Sequence, residues 1–223
     1  MPEISKDKEL RENEYEGLEG YRKIKPEGSD SLQEANRFLD SLFTQQAGFA
    51  PEEVQQENPH KEVVDGKTYY YDDNGKLYRV DKELEADTEY EINGYTYKTD
   101  EHGRIISARG KLHLKDWNGR PPIRDTMEDI GKGDQKETDE RGHLIGDQFG
   151  GSNGLENMIP QDAEINKKDH KNFENELAKE VKAGRDVRVT VEPHYGDDSH
   201  RPDRIEVTYY IDGEKSVKTF PNN

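Results

Sequence analysis

Alternation of apolar and polar residues, returning in several separate windows, confines much of this chain to half-buried antiparallel strands. The pattern first comes as a repeat. Gly66-Lys67-Thr68-Tyr69-Tyr70-Tyr71-Asp72-Asp73-Asn74-Gly75-Lys76-Leu77 recurs 28 residues later as Gly94-Tyr95-Thr96-Tyr97-Lys98-Thr99-Asp100-Glu101-His102-Gly103-Arg104-Ile105. Each copy reads as a β-hairpin, with Asn74-Gly75 and His102-Gly103 at the turn positions that need φ > 0. The second hairpin is expected to run on from Ser107 to Leu114. Tyrosines on such strands serve packing more often than they make a sugar- or base-stacking surface. Further along, Val187/Val189/Val191 and Ile205/Val207/Tyr209/Ile211 alternate as well. Asp212-Gly213 then turns the chain into a last strand at Ser216–Phe220.

One long helix interrupts this pattern. Phe173, Leu177 and Val181 form an i, i+4, i+8 stripe within Ala163–Ala183, and Gly184 suits the position just past the end. Pro121-Pro122 and Gly131-Lys132-Gly133 mark a loop before it. Clustered strands with a separate helix, rather than alternating βα units, indicate an α+β fold built on an antiparallel sheet. Residues 1–60 differ. Leu32, Ala35, Phe38, Leu39 and Leu42 have helical spacing within Ser31–Gln46, and acidic, Pro- and Gly-containing sequence surrounds them. Pro51 to Pro59 reads as a linker. With 29% hydrophobic and 37% charged residues, no core can extend through all 223 positions. The expected organisation is therefore an acidic leader over 1–60, partly helical or disordered, followed by a folded region over 61–223.

The chain has no cysteine. That excludes a disulfide framework and a thiolate metal site, so any metal must be held by oxygen or imidazole. No apolar run approaches the roughly 18 residues of a membrane span, and the N-terminal residues lack the apolar core of a signal peptide. Such a chain is expected to stay in the cytosol or to leave by a route that cleaves no signal. The net charge is -17, and each third of the sequence is acidic. Long-range attraction to nucleic acid is weak on that account, and a basic protein partner suits the charge better. A nucleic-acid groove would have to be local, assembled from Arg141, Lys167, Lys168 and Lys171.

Chemistry concentrates between positions 140 and 174. Glu140-Arg141-Gly142-His143 is followed by Asn157-Met158-Ile159-Pro160-Gln161, and then by Asn166 and Glu174. A histidine can deprotonate water near neutral pH, which makes His143 the candidate general base. A backbone carbonyl or a carboxylate is expected to orient its second nitrogen. Asn166 offers a neutral amide oxygen, which would leave a Mg²⁺ ion most of its charge and water shell. Glu174 stands eight residues on, about 80° around an ideal helix from Asn166. His170, one turn from Asn166, reads as an exposed helical histidine rather than a second ligand.

Three features in order resemble the DNA/RNA non-specific endonucleases of the ββα-metal, or His-Me finger, superfamily. They are the Arg-Gly-His triplet, the Asn-x-x-Pro-Gln element that begins 14 residues after His143, and the Asn166…Glu174 pair. The resemblance covers about residues 90–223, taken as the nuclease core. It implies an antiparallel sheet carrying a ββα-metal element, with the Asn166 helix packed beside the strand that ends near His143. It also implies Mg²⁺-dependent hydrolysis of DNA and RNA phosphodiesters with little sequence preference, Mn²⁺ being an alternative ion. In that scheme His143 is the base, Asn166 the metal ligand, and Glu174 the acid that holds water around the ion. Arg141 contacts a phosphate or the transition state, Lys167 adds a phosphate contact, and Asn157 fixes the loop beside the site. Glu140 stands where many relatives carry Asp, so whether Asp139 or Glu140 orients this loop stays open. Similar hairpins precede the nuclease module in secreted bacterial toxins of the family. The implied context is an antibacterial effector exported without a cleavable signal and acting in the target-cell cytoplasm. In the producer's cytoplasm a cognate immunity protein would hold it, with a basic face over or beside the His143–Asn166 cleft. The competing reading is a catalytically degenerate binding module whose Tyr-rich hairpins hold a carbohydrate or a protein.

Overall fold

The computed structural model describes residues 60–222 apart from 117, 118 and 120. The chain divides between Gln55 and Gln56, and everything described belongs to the second unit. The helix expected over Ser31–Gln46 and the linker over Pro51 to Pro59 lie outside the described residues.

Strands β1 (Lys61–Val64), β2 (Lys67–Tyr71), β3 (Leu77–Val80) and β4 (Glu83–Leu84) form an antiparallel four-stranded meander. Strands β5 (Glu89–Ile92), β6 (Tyr95–Thr99) and β7 (Ile105–Lys111) begin a six-stranded sheet. The sequence repeat proves larger than a hairpin. Asp65-Gly66 joins β1 to β2 with φ of 50° and 80°, and Asn93-Gly94 joins β5 to β6 with φ of 56° and 75°. Two consecutive positive φ values are what a type I′ hairpin turn requires. Each copy is therefore a three-stranded unit, and the two copies fall in different sheets.

In the longer turns only the glycine is left-handed, Gly75 at φ 76° and Gly103 at φ 72°. Asn74 and His102, expected to share that role, do not. An aspartate shapes each turn instead, because a short carboxylate can cap backbone N–H groups just ahead of it. Asp72 Oδ1 accepts from Asn74 N and Lys76 N, and Asp100 Oδ1 accepts from His102 N and Arg104 N. A register shift between Tyr70 and Tyr71 has its counterpart between Lys98 and Thr99.

Tyr78, Tyr90, Tyr95 and Tyr97 are at most 2% exposed. Tyr78 stacks on Tyr90 at 4.8 Å and Tyr90 on Tyr97 at 5.6 Å, so these rings form core and offer no stacking surface to a ligand. Strand β7 stops at Lys111 rather than continuing to Leu114. Leu112 is buried and donates its N–H to Val187 O, while Leu114 is exposed.

A short helix, α1 (Met127–Gly131), occupies part of the stretch expected to be loop. Its capping box was present in the sequence as Thr126-x-x-Asp129. Thr126 Oγ1 accepts from Asp129 N, and the Asp129 carboxylate accepts from Thr126 N. Strand β8 (Asp139–His143) then pairs antiparallel with β9 (Met158–Asp162), which sets His143 opposite Met158. β9 runs straight into a helix whose first N–H groups, those of Glu164 and Ile165, donate to Asp162 Oδ1. Ile165–His170 winds as π turn and Lys171–Lys182 as α2. Gly184, at φ 82°, follows as expected.

Strands β10 (Val187–His194), β11 (Arg204–Ile211) and β12 (Glu214–Pro221) complete the larger sheet in the order β12-β11-β10-β7-β6-β5. Phe173 and Leu177 of α2 join Val187, Val189, Val191, Ile205, Val207 and Phe220 in the core, with Phe173 edge-on to Tyr209 at 5.2 Å. The fold is α+β and mainly antiparallel. Its β8–β9–α2 unit is inserted between the neighbouring strands β7 and β10.

Candidate active site

Glu140, Arg141, His143, Asn166, Lys167 and Glu174 all line one open cleft of about 1050 Å³, together with Pro121, Pro122 and Ile123. Asn157 does not reach it. The glycine of the triplet is a matter of space. A Cβ at Gly142 would stand 2.2 Å from Gln161 Oε1 and 2.7 Å from Gln161 Cβ. The side chain of the Pro-Gln element thus packs over β8 beside His143, and the two halves of the motif need each other's size.

His143 is 8% exposed, and its Nε2 lies 2.9 Å from Asn153 Oδ1. Asn153 Nδ2 donates to Asp147 Oδ1 at 3.4 Å, and Asp147 Oδ2 pairs with Lys115 Nζ at 2.6 Å. A carboxylate only accepts, so Asn153 must turn its NH₂ to Asp147 and its carbonyl to the imidazole. Nε2 is therefore the nitrogen that donates to Asn153, and in the neutral imidazole this leaves the lone pair on Nδ1. The orienting group is a side-chain amide, where a backbone carbonyl or a carboxylate was expected. Nothing in Gly150-Gly151-Ser152-Asn153-Gly154 marks Asn153 in advance. Asn157, fully buried behind the cleft, accepts from Ile145 N and donates to the carbonyls of Ile145 and Ser152. It joins the segment after His143 to the loop that carries Asn153.

The π turn changes the angular argument for Asn166 and Glu174. It takes one extra residue into the helix, which turns the phase back by about 100°, the share of one α-helical residue. The offset of about 80° is thereby cancelled, and both side chains reach the cleft with Lys167, His170 and Lys171. Asn166 Nδ2 donates to Glu140 Oε2 at 3.4 Å, and Lys167 Nζ pairs with Glu140 Oε1. With its nitrogen given to Glu140, Asn166 has Oδ1 to offer a cation. The Glu174 carboxylate rests on Gly146, where a Cβ would come within 2.3 Å of Glu174 Oε1.

Arg141 pairs with neither neighbouring acid. Its Nη1 donates to the carbonyls of Ile123 and Asp125 at 3.3 and 3.2 Å. Asp139 is taken by Arg201 in a two-pronged pair at 2.7 and 2.8 Å. Burial raises the Asp139 pKa, but hydrogen bonds from Arg201 and the Lys136 N–H outweigh it and hold the carboxyl below its ordinary value. His170 corrects the expectation of an exposed histidine. It is 5% exposed, packs on Phe220 at 5.0 Å, and has Nδ1 3.5 Å from Gln161 Nε2. Burial, and then the positive charge of a protonated His143, lower its pKa to about 4, so the ring is neutral near pH 7. Lys168 pairs with Glu164 and is not part of the cleft lining.

The donors suit a hard cation that keeps its water. Oxygen is supplied by the Asn166 amide and the Glu174 carboxylate, and among the described residues no three His, Asp or Glu side chains converge to cage an ion. Among the described residues no helix is long and apolar enough to cross a membrane.

Comparison with known proteins supplies relatives and a family. The chain is 34% identical over 149 residues to the type VII secretion system protein EssD of Staphylococcus aureus strain USA300, covering 63% of this chain and 24% of that protein. It is 25% identical over 122 residues to the probable deoxyribonuclease RhsA of Dickeya dadantii, covering 55% of this chain and 8% of that protein. It thus spans a quarter or less of the length of these relatives. The family model described as DNA/RNA non-specific endonuclease matches residues 86–213. That stretch takes in β5, β6, β7, α1, the whole β8–β9–α2 unit, β10 and β11. The chain belongs to the DNA/RNA non-specific endonuclease family.

Proposed function

We propose that this chain cleaves DNA and RNA endonucleolytically, with little regard to sequence, with the help of one Mg²⁺ or Mn²⁺ ion. The observation that carries this reading is His143, its tautomer set by Asn153, on the same cleft as Asn166 and Glu174. Nδ1 of His143 takes the proton from the attacking water, and Asn153 keeps the ring turned for that transfer. When bound, the ion neutralises charge on the phosphate and the leaving oxygen. Asn166 holds it through Oδ1, and Glu174 orders water nearby. Arg141 and Lys167 receive phosphate oxygens, contacts that carry no sequence information. Lys167 exchanges its Glu140 partner for the phosphate.

Plasmid relaxation with Mg²⁺ and with EDTA is the test. Cleavage should stop in EDTA, and His143→Ala should lose about 10²–10⁴ in rate while remaining folded, the usual worth of a general base. Full activity in that variant removes His143 from the mechanism. Full activity in EDTA removes the metal. Calorimetry on Asn166→Ala, with Mg²⁺ as titrant, should show weakened binding.

One relative is named for type VII secretion and another as a probable deoxyribonuclease. We therefore extend the proposal to an antibacterial effector, exported without a cleaved signal, that acts in the cytoplasm of a target cell. In the producer a cognate immunity protein holds it, and the charge of -17 favours a basic face on that partner. Expression of this chain should be toxic unless His143 is replaced or the immunity protein is supplied.

A further inference from the structure

Arg79 lies on β3, ahead of the stretch matched by the family, in the first copy of the repeat. At the offset of 28 its counterpart in the second copy is Ser107, so the repeat does not account for it. Its side chain is 5% exposed. A buried guanidinium is costly unless its donors are met, and here they are. Nη1 and Nη2 grip the two oxygens of Asp125 at 2.9 and 2.6 Å, and Nε donates to Asp81 O at 2.7 Å. The guanidinium also lies 4.5 Å from the Tyr70 ring centre, and Nη1 is 3.9 Å from Glu156 Oε2.

Both carboxylates lead to the cleft. The Asp125 carbonyl, with that of Ile123, accepts the hydrogen bonds of Arg141. Glu156 is 1% exposed and accepts from Ser152 Oγ, next to the Asn153 that orients His143. We propose that Arg79 is a positioning residue that ties the loop seating Arg141 to the loop seating His143, so that the phosphate contact and the base keep one spacing. Arginine suits this tie because its rigid fork meets two partners at fixed angles; lysine is a point charge on a flexible stem.

The kinetic part rests on the nuclease reading, and the structural part does not. Arg79→Lys keeps the buried charge and loses the fork. Arg79→Met/Asp125→Leu removes the pair together, a replacement that buried ion pairs often tolerate without loss of fold. In either folded variant, amide hydrogen exchange should quicken about tenfold or more over residues 123–126 and 152–157 together, with β10 and β11 unchanged. Unchanged exchange at those two loops overturns the tie, whether or not the protein cleaves DNA.

For cleavage of plasmid DNA with Mg²⁺, kcat/KM should fall about 10- to 100-fold, in keeping with a misplacement of about 1 Å between reacting groups. In an Arg141→Ala background the same change should cost clearly less than in the wild type, since residues acting through one another are not additive; what remains acts on the loop beside His143. Additive losses assign Arg79 a purely structural role and overturn the positioning. A wild-type protein inert on DNA and RNA sinks the nuclease reading, and the exchange result still decides the tie.

Discussion

Gly146 sits under the Glu174 carboxylate with backbone angles of -61° and 149°, which any residue can adopt. Gly146→Ala should therefore fold, because the group it meets is the far end of a flexible side chain. That carboxylate must move, however. If Glu174 orders water beside the ion, the variant should lose about 10- to 100-fold in cleavage, close to the loss in Glu174→Ala. Unfolding in place of this selective loss, read by thermal melting, would contradict the argument. His170 supports a second prediction. Its neutral form belongs to the folded chain, since its pKa falls from 6.5 to about 4 on burial. Protonation favours the unfolded chain, so the stability due to His170 is complete above pH 6.5 and is lost as the pH drops toward 4. The loss is about 3 kcal/mol over that window. Denaturant midpoints at pH 7.5 and pH 5 should differ less in His170→Gln. At this scale the convergence of His143, Arg141, Asn166 and Glu174 on one cleft was legible, because their spacing in the chain carries the motif. Asn153 was not, since its hold on the imidazole exists only once the Gly-rich loop has folded back over β8. The burial of His170, by contrast, was legible, because it stands at i to the buried Phe173 and Leu177 at i+3 and i+7, on one helical face.

The π turn is the element that brings Asn166 and Glu174, eight residues apart, onto one face. Deleting the exposed Lys168 should remove the extra residue and leave the two side chains aligned, because seven α-helical residues at about 100° each bring them within about 20° of one another. Circular dichroism should keep its helical signal, and cleavage should stay within about tenfold of wild type. A loss of about 100-fold or more would mean that the π geometry itself, beyond the shared face, is needed. Strands were legible wherever apolar residues alternate, and the stripe Phe173, Leu177, Val181 marked α2. The three-stranded extent of the repeat was also encoded, in Asp65-Gly66 and Asn93-Gly94, and was underread. α1 escaped because a helix of five residues is too short for periodicity, and its capping box was its sole signal. That the two repeat copies enter different sheets could not be read locally. Edge partners are chosen by long-range packing, here by β10 pairing with β7.

At the scale of the molecule the chain carries -17, and two of the cations that line the cleft already have partners: Lys167 has Glu140, and Arg141 has two carbonyls. A substrate phosphate must replace these partners, which disfavours idle binding to nucleic acid. The insertion of the β8–β9–α2 unit between β7 and β10 also has a consequence in time. Lys111 and Arg188 face each other across that junction, so residues 112–187 form a loop closed at its neck by one strand pair. Closing a loop of that length costs about 4 kcal/mol of chain entropy, against far less for the hairpins on either side. The local meanders should consequently form early during refolding, and the neck should close late. Stopped-flow dilution from urea should show strand signal in circular dichroism before cleavage of a fluorescent DNA substrate begins. The order of assembly then acts as a delay fuse: the fold stays incomplete until its last join is made.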